Sequence, residues 1–372
     1  MYLCGMSGAV FHITQLKLTN FKNYSFAAFE FAEKLNFIVG DNGIGKTNLL
    51  DAVYYSCLTK SYLSPDLIVP NFENNYFRLE SNILLNNDNQ LVEIKYLKQE
   101  KKEVLVNKVK IEKQAEFIGK FPCVIITPDD NQLILGGSEL RRKFMDASIC
   151  QFSTEYLTQL VTYNKILIQR NALLKSFYEQ KNFNKQLLEV YNQRLVSSGQ
   201  FIYDTRKSFL EKFIPIVKNI YKKIFDGQEQ INITYDSCLL DKTFEQLIQE
   251  NLEQDRWAQR TTKGIHTDDL QFELHHFPVK KIGSQGQQKT FLLSLKLAQY
   301  ELLKQEKQLK PLLLLDDIFD KLDAGRIQKI FAFIHSDNFG QVFITDTNEA
   351  AIQTFIEQNN IIQYKIIQLG TL

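Results

Sequence analysis

With 372 residues, 44% of them hydrophobic and 12% aromatic, the chain holds ample apolar material for one large domain with an insertion or for two domains, and global disorder is excluded. Its 44 Lys and Arg against 43 Asp and Glu leave a net charge of +1, so composition alone announces no nucleic-acid partner and any basic surface must come from local clustering. Cys4, Cys57, Cys123, Cys150 and Cys238 form no C-x-x-C pair and no apolar run approaches the ~18 residues of a membrane helix, so a soluble cytoplasmic protein with no membrane partner is expected.

Residues 1–10 read as a loose N-terminal extension that lacks the marks of a signal peptide, with Met6 as an alternative start to Met1. Strands are expected at 13–19, 26–31 and 35–39, the last a nearly continuous apolar run of the kind buried on both faces of a sheet. A helix follows over 48–58, where Leu49, Leu50, Val53, Tyr54 and Cys57 share a face. Further strands are expected near 77–85, 91–97, 103–111 and 122–127, the middle two joined by the charged hairpin Gln99-Glu100-Lys101-Lys102.

The texture turns helical near 140. Tyr156, Leu160, Tyr163, Leu167 and Leu174 have heptad-like spacing, and Leu188, Leu195, Ile202, Phe209 and Ile216 recur at strict seven-residue intervals, with Tyr191 at a d-like position. The polar break Lys181-Asn182-Phe183-Asn184 separates the two runs. A short antiparallel helical hairpin is predicted, either an ordinary helical subdomain or a protruding coiled coil, with Pro215 kinking or ending its second arm. After 260 the alternation of strands and helices resumes, with strands at 312–315 and 341–345 and helices at 289–303 and 324–334. The expected division is an α/β head whose N-terminal part is 11–140 and whose C-terminal part is 261–372, interrupted by a helical insert at 141–260.

Three motifs carry chemistry. Gly40-Asp41-Asn42-Gly43-Ile44-Gly45-Lys46-Thr47 matches G-x-x-x-x-G-K-[ST], lies between a buried strand and an amphipathic helix, and is followed by Asn48. Its glycines let backbone N–H groups curl around phosphates, Lys46 would neutralise the β- and γ-phosphates of ATP, and the Thr47 hydroxyl would ligate Mg²⁺. Leu312-Leu313-Leu314-Leu315-Asp316-Asp317 is an apolar strand ending in paired carboxylates. Placed beside the P-loop strand, it would bring Asp316 to the metal, and Asp317 would polarise an attacking water. Gly283-Ser284-Gln285-Gly286-Gln287-Gln288 opens a helix, where small residues and the positive end of the helix dipole suit an anion.

The ordered set GDNGIGKT, SQGQQ, LLLLDD and Asp320-Lys321-Leu322-Asp323 resembles the P-loop, signature, Walker B and D-loop of an ABC/SMC-type ATPase head. LTNFKNY (18–24), TPDDNQLILGGSELRRKFMD (127–146), YNKILIQRNALL (163–174) and TTKGIHTDDL (261–270) narrow the resemblance to the RecF family of bacterial recombination mediators, over nearly the whole chain from residue 13 onward. The resemblance implies an ABC/SMC-type P-loop head carrying a helical lobe, and an ATP-dependent homodimer. Each nucleotide would lie between one P-loop and the partner copy's Ser284, Gly286 and Gln287, with Asp323 approaching the other site. It also implies binding to double-stranded DNA near gaps and single-strand/double-strand junctions, RecR as a partner, and weak, slow, DNA-dependent ATP hydrolysis that resets the clamp. Recombinase loading in repair and replication restart, and a cytoplasmic, nucleoid-associated location, would follow.

Some positions depart from the general ABC pattern. Asp317 stands where the base is often Glu, Asp346 where the switch residue is often His, and Pro128-Asp129-Asp130 where a metal-sensing Gln loop would be expected. His266 is open to a catalytic or a structural role, and Asp268 and Asp269 to a turn cap or a dimer contact. Arg141-Arg142-Lys143 is open to solvent exposure or to a DNA or interdomain contact, and Tyr62 to a place near the nucleotide. A transporter subunit, a long tether and a nuclease fit less well: the switch His is missing, the arm is short, and no second carboxylate cluster is in view.

Overall fold

The computed structural model describes residues 11–70, 74–224, 229–317, 338–359 and 361–370; the extension at 1–10, the Asp320–Asp323 stretch and the expected helix at 324–334 lie outside them. The chain divides into two compact units, Met1–Asp130 with Leu293–Leu372, and Asn131–Leu292. These limits differ from the expected 140 and 260. The second shifts furthest because two short strands around it pair with each other inside the lobe.

The first unit holds two sheets. Strands β1 (Phe11–Phe21), β2 (Tyr24–Glu30), β4 (Tyr76–Leu85), β5 (Asp88–Leu97), β6 (Glu103–Val106) and β7 (Val109–Lys110) form an antiparallel sheet in the order β2-β1-β4-β5-β6-β7. Its strands alternate: in β4, Phe77, Leu79, Ser81 and Ile83 point inward, as a sheet with one solvated face requires. The single strand expected at 103–111 is two, because Asn107 and Lys108 take φ of 50° and 68° and turn the chain in a tight hairpin.

The second sheet is parallel, with β14 (Tyr364–Gln368), β3 (Leu35–Val39), β13 (Val342–Asp346), β12 (Leu312–Leu315) and β8 (Cys123–Ile126) in the order β14-β3-β13-β12-β8. β3, β8 and β12 are buried at every position, which is why their sequences are continuous apolar runs rather than alternating ones. β12 does not lie directly beside β3 as expected; β13 intervenes and pairs with both. The helix Lys46–Leu58 is buried along nearly its whole length, and Leu49, Leu50, Val53 and Tyr55 join one core with Phe21, Phe77, Leu312 and Leu314.

In the second unit the helices Thr154–Gln180 and Lys185–Ile224 form the hairpin, about 40 and 60 Å long at 1.5 Å per residue. Pro215 does not end the second arm. It sits exposed, and beyond Phe209 the buried positions leave the seven-residue repeat for Phe213, Val217, Ile220 and Ile224, with Ile216 only half-buried. The sequence pattern missed a three-stranded sheet, β11-β10-β9, made of β9 (Ile231–Asp236), β10 (Asp269–Leu274) and β11 (Phe277–Pro278). It also missed the short helices Phe244–Glu250 and Leu252–Ala258.

Candidate nucleotide-binding site

β3 delivers the chain to Gly40, and the loop that follows can be made only with glycine at its tightest points. Gly43 and Gly45 have φ of 81° and 114°, the region in which a Cβ is strained. A Cβ on Gly45 would also lie 2.4 Å from the Asn23 amide. Asn23 Nδ2 donates to the Ile44 carbonyl at 3.0 Å, the Tyr24 hydroxyl donates to the Gly45 carbonyl at 3.0 Å, and Asn48 Nδ2 donates to Asn23 Oδ1 at 2.7 Å. The β1–β2 turn therefore braces the loop from outside. Asp41, Asn42 and Gly43 form its exposed rim, and no side chain caps the helix that starts at Lys46.

Lys46 is 4% exposed, and its ammonium donates to the carbonyls of Gly40 at 2.8 Å and Asp41 at 3.0 Å. It makes no ion pair with any described residue. A buried cation whose direct bonds are all to neutral oxygens is only partly compensated, here by the nearby Asp316 carboxyl, and a polyanion at the loop would supply the rest.

The carboxylate end of β12 meets the start of the same helix. Thr47 Oγ1 donates to Asp316 Oδ1 at 3.1 Å, and Thr345 Oγ1 donates to the same oxygen at 2.8 Å. Thr345 Oγ1 in turn accepts the Asp317 N–H at 2.9 Å, so one β13 hydroxyl positions both acids. Asp317 has φ of 44°, a left-handed conformation that aspartate tolerates better than most residues. Burial pushes the Asp316 carboxyl above the ordinary aspartate value. The charge of Asp317 adds to this, while hydrogen bonds from Thr345 and Thr47 and the Lys46 ammonium oppose it. A hydroxyl and a carboxylate converging as hard oxygen donors fit Mg²⁺.

In the second unit, Ser284 and Gln287 cap the helix Gln285–Lys307 reciprocally. The Ser284 N–H donates to Gln287 Oε1 at 2.6 Å, and the Gln287 N–H donates to Ser284 Oγ at 3.3 Å. Gln287 Nε2 also donates to Glu229 at 2.6 Å, and the Gly286 carbonyl accepts from Thr290. Ser284 is exposed and Gly286 half-exposed. Asp323, the remaining expected nucleotide contact, lies outside the described residues.

The RecF/RecN/SMC N terminal domain family matches residues 12–367. DNA replication and repair protein RecF of Flavobacterium johnsoniae is 44% identical over 360 residues, covering 96% of this chain and 100% of that one. RecF of Phocaeicola vulgatus is 40% identical over 351 residues, 93% of each chain. The chain belongs to the RecF family. A solved structure described as the recombination mediator protein RecF-ATP in the RecFOR pathway superposes with a TM-score of 0.87 at 29% identity, over 93% of this chain and 94% of that one. An Smc head domain from Pyrococcus furiosus, at 15% identity and a TM-score of 0.56, shares the fold. The RecF-family chain is thus a mixed α/β ATPase head of the ABC/SMC type.

Two of the segments that narrow the resemblance, 163–174 and 261–270, meet in polar networks in the second unit. Arg170, fully buried, donates to Asn192 at 2.8 Å, Asp255 at 2.7 Å and Thr261 at 2.7 Å; Asn171 accepts from the Thr261 N–H and hydroxyl, both at 2.8 Å. Arg206, also buried, bonds Asp146 at 2.9 Å, Asp268 at 2.8 Å and the Ile265 carbonyl at 2.8 Å. His266 spends both ring nitrogens on Tyr163 and the Thr261 carbonyl, at 2.7 and 3.1 Å, and burial lowers its pKa; this is a structural histidine.

Arg141 is not available to DNA: it is 5% exposed and grips Asp269 through two bonds of 2.6 and 3.0 Å. Arg142 donates to the Asp268 carbonyl at 2.6 Å. In the first unit the Tyr62 hydroxyl donates to Asp130, which pairs with Lys296 at 2.8 Å, so Tyr62 holds the segment after β8. Asp346, at the switch position, accepts the Asn348 N–H at 2.7 Å. Sequence reasoning missed Asn23, Tyr24 and Thr345 as site residues. LTNFKNY carried the first two in plain view, but only strand order reveals the third.

Proposed function

We propose that this chain is an ATP-switched recombination mediator. In this reading Gly40, Asp41, Asn42, Gly43, Ile44, Gly45, Lys46, Thr47 and Asn48 hold the ATP phosphates, and Thr47 and Asp316 hold Mg²⁺, which neutralises charge on the phosphates. Asp317 orients the attacking water. Ser284, Gly286 and Gln287, with Asp323, complete the site of a second copy, so that ATP drives dimerisation. The dimer clamps double-stranded DNA near single-strand gaps, works with RecR to load recombinase in the cytoplasm at the nucleoid, and opens on slow hydrolysis. The observation that carries the reading is Lys46, a buried cation beside a glycine loop that bonds only carbonyls and makes no ion pair with a described residue. RecR enters from the RecFOR pathway named for the solved relative.

The test is size-exclusion chromatography with light scattering, with and without Mg-ATP, on wild type and Asp317→Asn. Asp317→Asn is expected to bind ATP, hydrolyse it at least about tenfold more slowly, and accumulate as a dimer retained on duplex DNA. A monomer that persists with saturating ATP would sink the switch.

A further inference from the structure

Trp257, the only tryptophan in the chain, is 87% exposed. It closes the helix Leu252–Ala258, whose preceding residue, Arg256, lays its guanidinium over the Phe183 ring at 4.1 Å. Phe183 belongs to the 181–184 turn of the helical hairpin and packs edge-on against Phe177 at 5.3 Å. Four residues further on, Thr261 is tied to Arg170 and Asn171 of the first arm. The indole is therefore held on a fixed scaffold at the turn end of the hairpin.

The exposed charge on these segments leans positive. Lys181, Lys185, Arg260 and Lys263 are exposed, and none makes an ion pair with a described residue. Nearby Lys175 and Arg256 are matched by Glu179 and Glu253. In a chain whose net charge is +1, four exposed cations without an ion pair on the segments 181–185 and 260–263, against the one exposed acid Glu189 likewise without one, are a local excess. Lysine is depleted at the cores of protein interfaces, whereas exposed cations on the segments that carry an exposed aromatic suit a polyanion with bases to stack. Duplex bases already stack on one another, so the indole selects unpaired ones.

We propose that this end of the second unit binds single-stranded nucleic acid, with a base stacking on Trp257 and Lys181, Lys185, Arg260 and Lys263 neutralising backbone phosphates. It rests on the reading of the chain as a DNA-junction protein and assigns the unpaired side of the junction to the lobe.

The lone tryptophan makes the test direct. Full-length protein is titrated with a fluorescein-labelled oligo(dT), following Trp257 emission and oligonucleotide anisotropy together, beside a blunt duplex of equal length. Binding of oligo(dT) is expected to quench the indole, and the duplex to leave it unchanged. Trp257→Ala, at an exposed site that leaves folding intact, should weaken oligo(dT) binding about 5- to 100-fold. Lys181→Gln with Lys185→Gln should reduce the salt slope of log K by about 1.4. Unchanged emission while anisotropy rises, equal quenching by the duplex, or emission that responds to RecR and not to oligonucleotide overturns the proposal. ATP-dependent retention of duplex DNA by the same protein tests the underlying reading separately: if retention holds and the quench is missing, only the lobe assignment falls.

Discussion

The buried arginines of the second unit and the buried lysine of the P-loop are held in opposite ways. In the second unit, Arg170 and Arg206 are at least as deeply buried as any group in the P-loop, yet each carries its own carboxylate partner. In the first unit, Lys46 bonds only carbonyls, and Asp316 is pushed toward its neutral form. Paired buried ions hold a lobe together, whereas unpaired ones await something that is not protein. Elsewhere in the first unit Lys22 and Lys296 are paired with Asp51 and Asp130, so lack of an ion pair marks Lys46 within its own unit as well.

The largest expected effect attacks the scaffold. Arg206→Ala strands Asp268 and Asp146 and should cost about 3–5 kcal/mol in urea unfolding of the lobe. A loss under 1 kcal/mol would mean that the pairing contributes nothing and the contrast is empty. Lys46→Ala should do the reverse, changing unliganded stability by less than about 1 kcal/mol. It should also abolish the ligand-induced gain, about 2.7 kcal/mol for wild type at a hundredfold excess of ATP over Kd. Thermal shifts with and without Mg-ATP measure both.

The smallest effect depends on pH. Because Asp316 has a raised pKa in the folded chain, its ionisation opposes folding, and this destabilisation grows as pH rises from the ordinary aspartate range through the raised value. Asp316→Asn should therefore raise the unliganded Tm at pH 8, by an amount that shrinks toward pH 4, while losing the Mg²⁺-dependent part of nucleotide binding. A gain that is largest in acid would contradict the assigned cause.

Much of the first unit was legible because burial on both faces of a parallel sheet leaves an unmistakable mark. The runs 35–39 and 312–315 were read to the residue. β9 and β10 were not, since Ile231–Asp236 and Asp269–Leu274 are short, alternate with polar residues, and find each other across more than thirty positions. Within the site, glycines and the paired acids announce themselves, because few side chains can do their work. Thr345 does not: a threonine ending a strand matters only once β13 lies between β3 and β12. The burial of Arg170 and Arg206 was not legible, because nothing local distinguishes a buried arginine from an exposed one.

The reciprocal cap at Ser284 and Gln287 has a further consequence. The two amides best placed to greet an anion at that helix start already have acceptors from within the chain. In the proposed dimer an incoming phosphate would have to out-compete a tethered rival whose effective concentration never falls, forfeiting capping energy of about 1 kcal/mol. When the anion leaves, the side chains fold back at once. Under the proposed switch such a latch would reset itself and would make weak or partial ligands poor at holding two copies together.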